Sequence, residues 1–290
     1  MKKQNPEESS QNSVGQNHRL ESRKNQPSGS WLLNPEFPEV DLPLCRATLF
    51  SALALGFRPP TEATIGRLVQ PENAAALADA AAVLDPCGSL GLVTLIQALS
   101  RAEQVGVPAL MCSYRAFFGH TARGPIPPYE TEYGHEALFQ QPQELGDLMG
   151  FYRAFGLTVR FGEHERPDHI SCECEFLSFL ALKEAYAVEH QDTESLAETR
   201  KATRLFLRDH FGRFLPAFAT KLRSEDPDGF YGTLGDLCLK FVTHECDRLV
   251  VPIGLEGLGL RPAADDGVPM ACGSGSECVA MPGALNPEQE

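Results

Sequence analysis

From residue 42 to residue 249, apolar side chains recur every three or four positions, a spacing that predicts successive amphipathic helices. The segments are Leu42–Phe57, Thr61–Leu84, Ser89–Val105, Pro108–His120, Pro142–Phe155, Asp168–His190, Thr193–His210, Pro216–Arg223 and Phe230–Leu249. No stretch alternates apolar and polar residues as a half-buried strand does. The pattern therefore predicts an all-α fold, a compact single-domain helical bundle of about ten helices. Ala74–Ala82 has the strongest intrinsic helix propensity, and Pro71 stands where a first turn tolerates proline. Ser195 and Glu198 have capping-box spacing, although they fit equally well one turn inside a helix that starts at Asp192.

The breaks are as informative as the helices. Arg123–Pro128 holds three prolines and a glycine, so a loop must interrupt the bundle there. Asp226-Pro227-Asp228-Gly229 reads as a turn and a candidate hinge before the last helix; such a hinge is compatible with a monomer or with a helix-exchanged dimer. Residues 1–30 are polar and 261–290 are rich in Gly, Pro and acid, which predicts disordered tails around a folded domain spanning 31–260.

Composition narrows the function. The formal net charge is -14 over 290 residues, which argues against a nucleic-acid partner, since phosphate binding needs a basic stripe. The most apolar run, Ala47–Phe57, falls short of the ~20 residues that a bilayer requires, so no membrane insertion is expected. The N-terminus lacks the apolar core of a signal peptide, and nine scattered cysteines suit a reducing compartment; both point to a cytoplasmic protein. Enzyme chemistry is poorly supplied. Only Glu132 and His135 have the Glu-x-x-His spacing of a di-iron site, and Cys172/Cys174, His244/Cys246 and Cys272/Cys278 make weak zinc ligand sets. No phosphate-binding loop or serine elbow appears, and no cofactor or metal is expected.

Four segments, in order, carry a likeness. They are Tyr114–Gly119; Pro127-Pro128-Tyr129-Glu130-Thr131-Glu132-Tyr133; Phe151–Leu157; and Glu165-Arg166-Pro167-Asp168-His169-Ile170 running into Glu173-Cys174-Glu175-Phe176-Leu177. The set resembles the TorD-like chaperones, the group that includes TorD, DmsD and NarJ, with Thr131 where the family more often has serine and Cys174 in a leucine position. The resemblance implies an all-helical, non-enzymatic chaperone. Its partner would be the catalytic subunit of a molybdopterin oxidoreductase of the DMSO reductase family, bound before cofactor insertion, together with that subunit's twin-arginine signal peptide. Two other readings remain beside it, a generic helical interaction scaffold and a metal-dependent helical-bundle enzyme.

The candidate client-binding residues are Tyr129, Glu130, Tyr133, Pro167, Asp168, His169, Glu173 and Phe176. Pro167 at a helix entrance would leave Asp168 and His169 in the first turn, and His169 and Glu173, four apart, would share a face that Phe176 and Leu180 continue. Carboxylates on that face would meet client arginines, while the tyrosines and Phe176 would take an apolar stretch. Beside this stand blander roles. Asp168 could be a plain cap, His169 an ordinary hydrogen-bonded histidine, the tyrosine loop simply pinned to the bundle, and Phe176 core, for which core is the better reading. Arg166 could pair with Glu130 or Glu132 and hold the loop to the helix.

Overall fold

The computed structural model describes residues 39–119, 123–135, 140–158 and 166–262, with residues 102 and 103 described in backbone only. The predicted tail 1–30, and all of 261–290 beyond Pro262, lie outside the described residues, as do His120, Glu165, Cys272 and Cys278. Among the described residues there are eleven α-helices and no strand. They are α1 (Asp41–Gly56), α2 (Glu62–Val69), α3 (Pro71–Leu84), α4 (Leu92–Leu99), α5 (Ala102–Val105), α6 (Val107–Phe118), α7 (Gln140–Ala154), α8 (Ile170–Glu189), α9 (Thr193–Phe206), α10 (Gly212–Glu225) and α11 (Phe230–Leu249).

Local chemistry explains the boundaries. Thr61 opens α2 with a reciprocal cap to Thr64. The single helix expected over Thr61–Leu84 is two, because Gln70, at φ -56° and ψ 137°, takes the extended conformation that a following proline imposes, and Pro71 then begins α3. Asp192 caps α9 by accepting from the Ser195 amide at 3.0 Å, so Ser195 lies inside the helix. After α9 the chain passes through one π-helical turn, Leu207–Phe211, into α10.

Pro216 lies inside α10 and has no N–H to give the Gly212 carbonyl four residues back. That carbonyl instead accepts the Gly254 amide at 2.9 Å, which fastens the chain after α11 onto α10. A Cβ at Gly254 would come within 2.0 Å of the Arg213 carbonyl oxygen, so glycine is required there.

The principal packing partners are α1 with α8 and α10 with α11. Helix α1 runs against α8 through buried Arg46, which bonds Glu184 at 2.8 Å, and through Ser178, whose hydroxyl donates to the Ala47 carbonyl at 2.9 Å. The Asp226 turn is tight: its carboxylate accepts the Tyr231 and Gly232 amides at 2.9 and 3.2 Å, and α11 folds back on α10 within the chain. Phenylalanines fill the core, with Phe50, Phe57, Phe206, Phe211, Phe214, Phe218 and Phe241 all buried. No described helix is long and apolar enough to cross a membrane.

Candidate functional site

The proline-rich segment after α6 cannot donate a helical ladder, so its backbone groups must find partners elsewhere. They find them on the entrance to α8. The Glu130 amide donates to the Asp168 carbonyl at 2.9 Å, and the Ile170 amide donates to the Pro128 carbonyl at 2.8 Å. On the loop's far edge, the Gly134 amide meets the Gly259 carbonyl at 2.9 Å and the Arg261 amide meets the Glu132 carbonyl at 2.8 Å. Held between α8 and the C-terminal segment, the loop turns once as a 3-10 helix over Glu130–Glu132.

Side chains lock this backbone frame. Asp168 is fully buried and accepts from the Thr131 hydroxyl at 2.7 Å, the Thr131 amide at 3.3 Å, and Arg166 through Nε at 3.1 Å and Nη2 at 2.8 Å. Arg166 also donates to the Thr131 hydroxyl at 2.9 Å, stands 3.6 Å from Glu132 and lies over the Tyr129 ring at 4.5 Å from its centre. Of the two carboxylates considered for Arg166, Glu132 is its neighbour. Glu130 is instead buried against His210 of the π-turn, at 3.2 Å, and Arg213 of α10, at 2.9 Å. Arg261 bonds Glu144 twice, at 3.0 Å each, and reaches the Thr131 carbonyl at 2.7 Å. Three arginines from distant parts of the chain, Arg166, Arg213 and Arg261, thus fasten one loop.

Helix α8 begins at Ile170, two residues later than the sequence pattern suggested. Asp168 does not cap it. His169 is the N-cap residue, its Nδ1 accepting the Ser171 amide at 3.1 Å and lying 2.7 Å from the Ser171 hydroxyl. The other ring nitrogen, Nε2, is buried without a hydrogen-bond partner, and so are both carboxyl oxygens of Glu173. Burial, then the charges of Glu130 and Asp168, push the Glu173 carboxyl well above the usual carboxylate range, so it stands as a neutral acid. Burial, reinforced by Arg166 and Arg58, lowers His169 to about 3, so it stands as a neutral base.

The exposed client face expected of these residues is therefore not what the closed loop presents. Glu130, Tyr133, Asp168, His169, Glu173 and Phe176 are all buried. The three carboxylates were expected to meet client arginines, but Glu130 is held by His210 and Arg213, Asp168 by Thr131 and Arg166, and Glu173 is buried without a hydrogen-bond partner, while Phe176 is core, the better of its two expected readings. Tyr133 donates its hydroxyl to the Pro127 carbonyl at 3.0 Å, and Phe176 packs on Tyr152 and Phe206 with ring centres 5.0 and 4.8 Å apart. Only Tyr129 and Pro167 are partly exposed. The Pro167 carbonyl accepts the Tyr152 hydroxyl at 2.8 Å, which adds α7 to the junction.

The residues that sequence reasoning missed are His210, Arg213, Glu144 and Arg261. His210 and Arg213, three apart among phenylalanines and leucines, were the available signal, since charged groups in so apolar a run need buried partners. Arg261 sat at the first residue of the expected tail, yet its side chain is buried in this junction. Glu132 pairs with Arg123 at 3.1 Å, and among the described residues no three His, Cys, Asp or Glu side chains are placed to hold a metal.

Known proteins share this arrangement of sequence. A family model described as nitrate reductase delta subunit matches residues 82–220. The perchlorate reductase assembly chaperone protein of Dechloromonas aromatica is 27% identical over 220 residues, covering 73% of this chain and 92% of that protein. The chaperone protein TorD of Vibrio cholerae is 28% identical over 155 residues, 52% of this chain and 68% of its own length. The selenate reductase assembly chaperone protein of Thauera selenatis is 37% identical over 105 residues, 36% of this chain and 52% of that protein. A solved putative redox enzyme maturation protein from Archaeoglobus fulgidus covers 68% of this chain and 93% of its own at 23% identity and a TM-score of 0.40, a likeness too loose to argue from.

Proposed function

We propose that this chain, a member of the TorD-like family, is a cytoplasmic chaperone that binds the catalytic subunit of a molybdopterin oxidoreductase before its cofactor is inserted. The observation that carries this reading is the match over 92% of a protein named as a reductase assembly chaperone. The family consists of assembly chaperones, and the reading assigns no catalytic step to the chain. The client's twin-arginine signal peptide is the finer part of the proposal. Glu130 on the loop converges with Asp168 and Glu173 beside it, and a client that lifts the loop would meet Asp168 and Glu173 in a site of low dielectric, with Glu130 on the raised loop, where an arginine fork is bound strongly. Tyr129 and Pro167, already partly exposed, would make the first contact.

Isothermal titration tests both levels. A purified apo molybdoenzyme subunit should bind at micromolar concentration or better, and so should a synthetic peptide with two adjacent arginines before an apolar run. Tyr129→Ala should weaken both without changing helical content. Failure of the peptide alone would remove the signal-peptide part, and failure of both would leave only a generic scaffold. The packing of α11 on α10 within one chain is compatible with a monomer, which light scattering on the eluted protein would decide.

A further inference from the structure

Two ionisable groups on one turn of α8 are buried without hydrogen-bond partners, Glu173 through both oxygens and His169 through Nε2. A charged carboxylate or imidazolium in such a place would lack both solvent and a bonded partner. The surroundings are mixed. Glu173 is faced by Glu130 of the loop, Asp168 before α8, Tyr152 of α7, Arg213 of α10 and Cys238 of α11. His169 is faced by Arg166 and Arg58, and by the Tyr129 ring 5.2 Å away. The loop that packs beside them is joined to the entrance of α8 by two backbone hydrogen bonds, at Glu130 and Ile170, and by the buried carboxylate of Asp168; Glu130 is also paired with His210 and Arg213, and the loop's other edge is joined to the C-terminal segment through Thr131, Glu132 and Gly134.

We propose that residues 127–133 form a proton-linked latch: closed, it holds Glu173 as a neutral acid and His169 as a neutral base, and lifting it frees both to ionise. The latch concerns the same loop as the functional reading, but it can be tested without any client, so either can fail alone. Lifting the loop returns Glu173 to about 4.3 and His169 to about 6.5, the values of solvated groups. Above about pH 6.5 each opening releases the Glu173 proton to solvent, so the closed form loses ground as pH rises, by up to about tenfold in the opening equilibrium per pH unit. Between about 4.3 and 6.5 the proton leaving Glu173 is matched by one taken up at His169, and opening is insensitive to pH. Below about 4.3 Glu173 is protonated in both states, and uptake at His169 favours opening as pH falls towards about 3, where the closed form also protonates.

Native-state hydrogen exchange of the Glu130 and Ile170 amides, corrected for the intrinsic rate, reads the opening directly. The wild-type protein should show a flat region at pH 5–6 and a loss of protection of up to about tenfold per unit above pH 7, while the Phe241 amide in α11 stays unchanged. Glu173→Gln should abolish the alkaline limb and make protection fall as pH drops below about 6.5. His169→Asn, which keeps a capping oxygen, should extend the alkaline limb down through pH 5. An infrared band of a protonated carboxyl group at pH 7, present in the wild type and missing in Glu173→Gln, gives a second readout on the intact chain. No pH dependence in the wild type, the same alkaline limb in Glu173→Gln, or no such band would overturn the proposal.

Discussion

Asp168→Ala removes one carboxylate that joins the loop to α8 and leaves every core phenylalanine in place. The Thr131 amide, 3.3 Å from the carboxylate in the intact protein, would be left in a fully buried position with no acceptor. The Thr131 hydroxyl would lose its 2.7 Å acceptor but keep its contact with Arg166 at 2.9 Å. Arg166 is 44% exposed, so water and Glu132 can take over its donors and its share of the loss is small. An orphaned buried amide costs about 1–3 kcal/mol and a hydrogen bond to a charged group about 1.5–3, so the loop should be destabilised by roughly 2–4 kcal/mol after that discount. That is a rise of roughly 30- to 1,000-fold in its opening. Exchange at the Glu130 amide should speed up by that factor, with far-UV circular dichroism unchanged and the urea midpoint nearly so. If the urea midpoint instead fell in proportion to the loop's protection, Asp168 would be part of the cooperative core, and a loop that opens on its own would be refuted.

Other residues should respond in different ways. Phe176→Ala empties a site lined by Tyr152, Phe151, Phe155 and Phe206 and should cost about 3–5 kcal/mol of global stability, read as a lower thermal midpoint. Arg261→Lys keeps the charge but cannot span both oxygens of Glu144 and the Thr131 carbonyl, so it should fail to restore the loop protection that Arg261→Ala removes; full restoration by lysine would show that charge alone suffices. Tyr133→Phe removes a buried hydrogen bond to Pro127 and should cost about 1–2 kcal/mol in denaturant unfolding while leaving client affinity within a factor of two.

Helices were legible because periodicity is local. Phe230–Leu249 was bounded at both ends by Gly229 and the end of its apolar repeat, and the structure has the same limits. The helix expected over Thr61–Leu84 broke because proline acts on the residue before it, a backbone effect that apolar spacing does not register. The site was legible in position and not in exposure. Glu130, Asp168 and Glu173 were placed on a surface because acidic side chains usually are solvated. What buries them lies elsewhere in the sequence: Arg213 is 83 positions from Glu130, and Arg261 is 130 from Thr131. No local window contains that pairing.

The burial also changes what the resemblance can mean. Thr131 and Asp168 are motif residues, and the bond between them closes the loop; Tyr152, another, reaches the Pro167 carbonyl; Tyr133 ties the loop to its own prolines. The motif therefore describes how the loop is fastened, which members of a family can share whatever they bind. Selectivity for one client has to come from groups that a client can touch before the loop moves, Tyr129, Pro167 and Arg166 around it, or from groups that only opening uncovers. The two routes differ in pH response. Contacts made on the closed surface leave Glu173 and His169 neutral and should not vary with their ionisation, whereas a client that needs the open loop should bind more tightly from pH 7 to 8.5, in step with amide exposure, and lose that trend in Glu173→Gln.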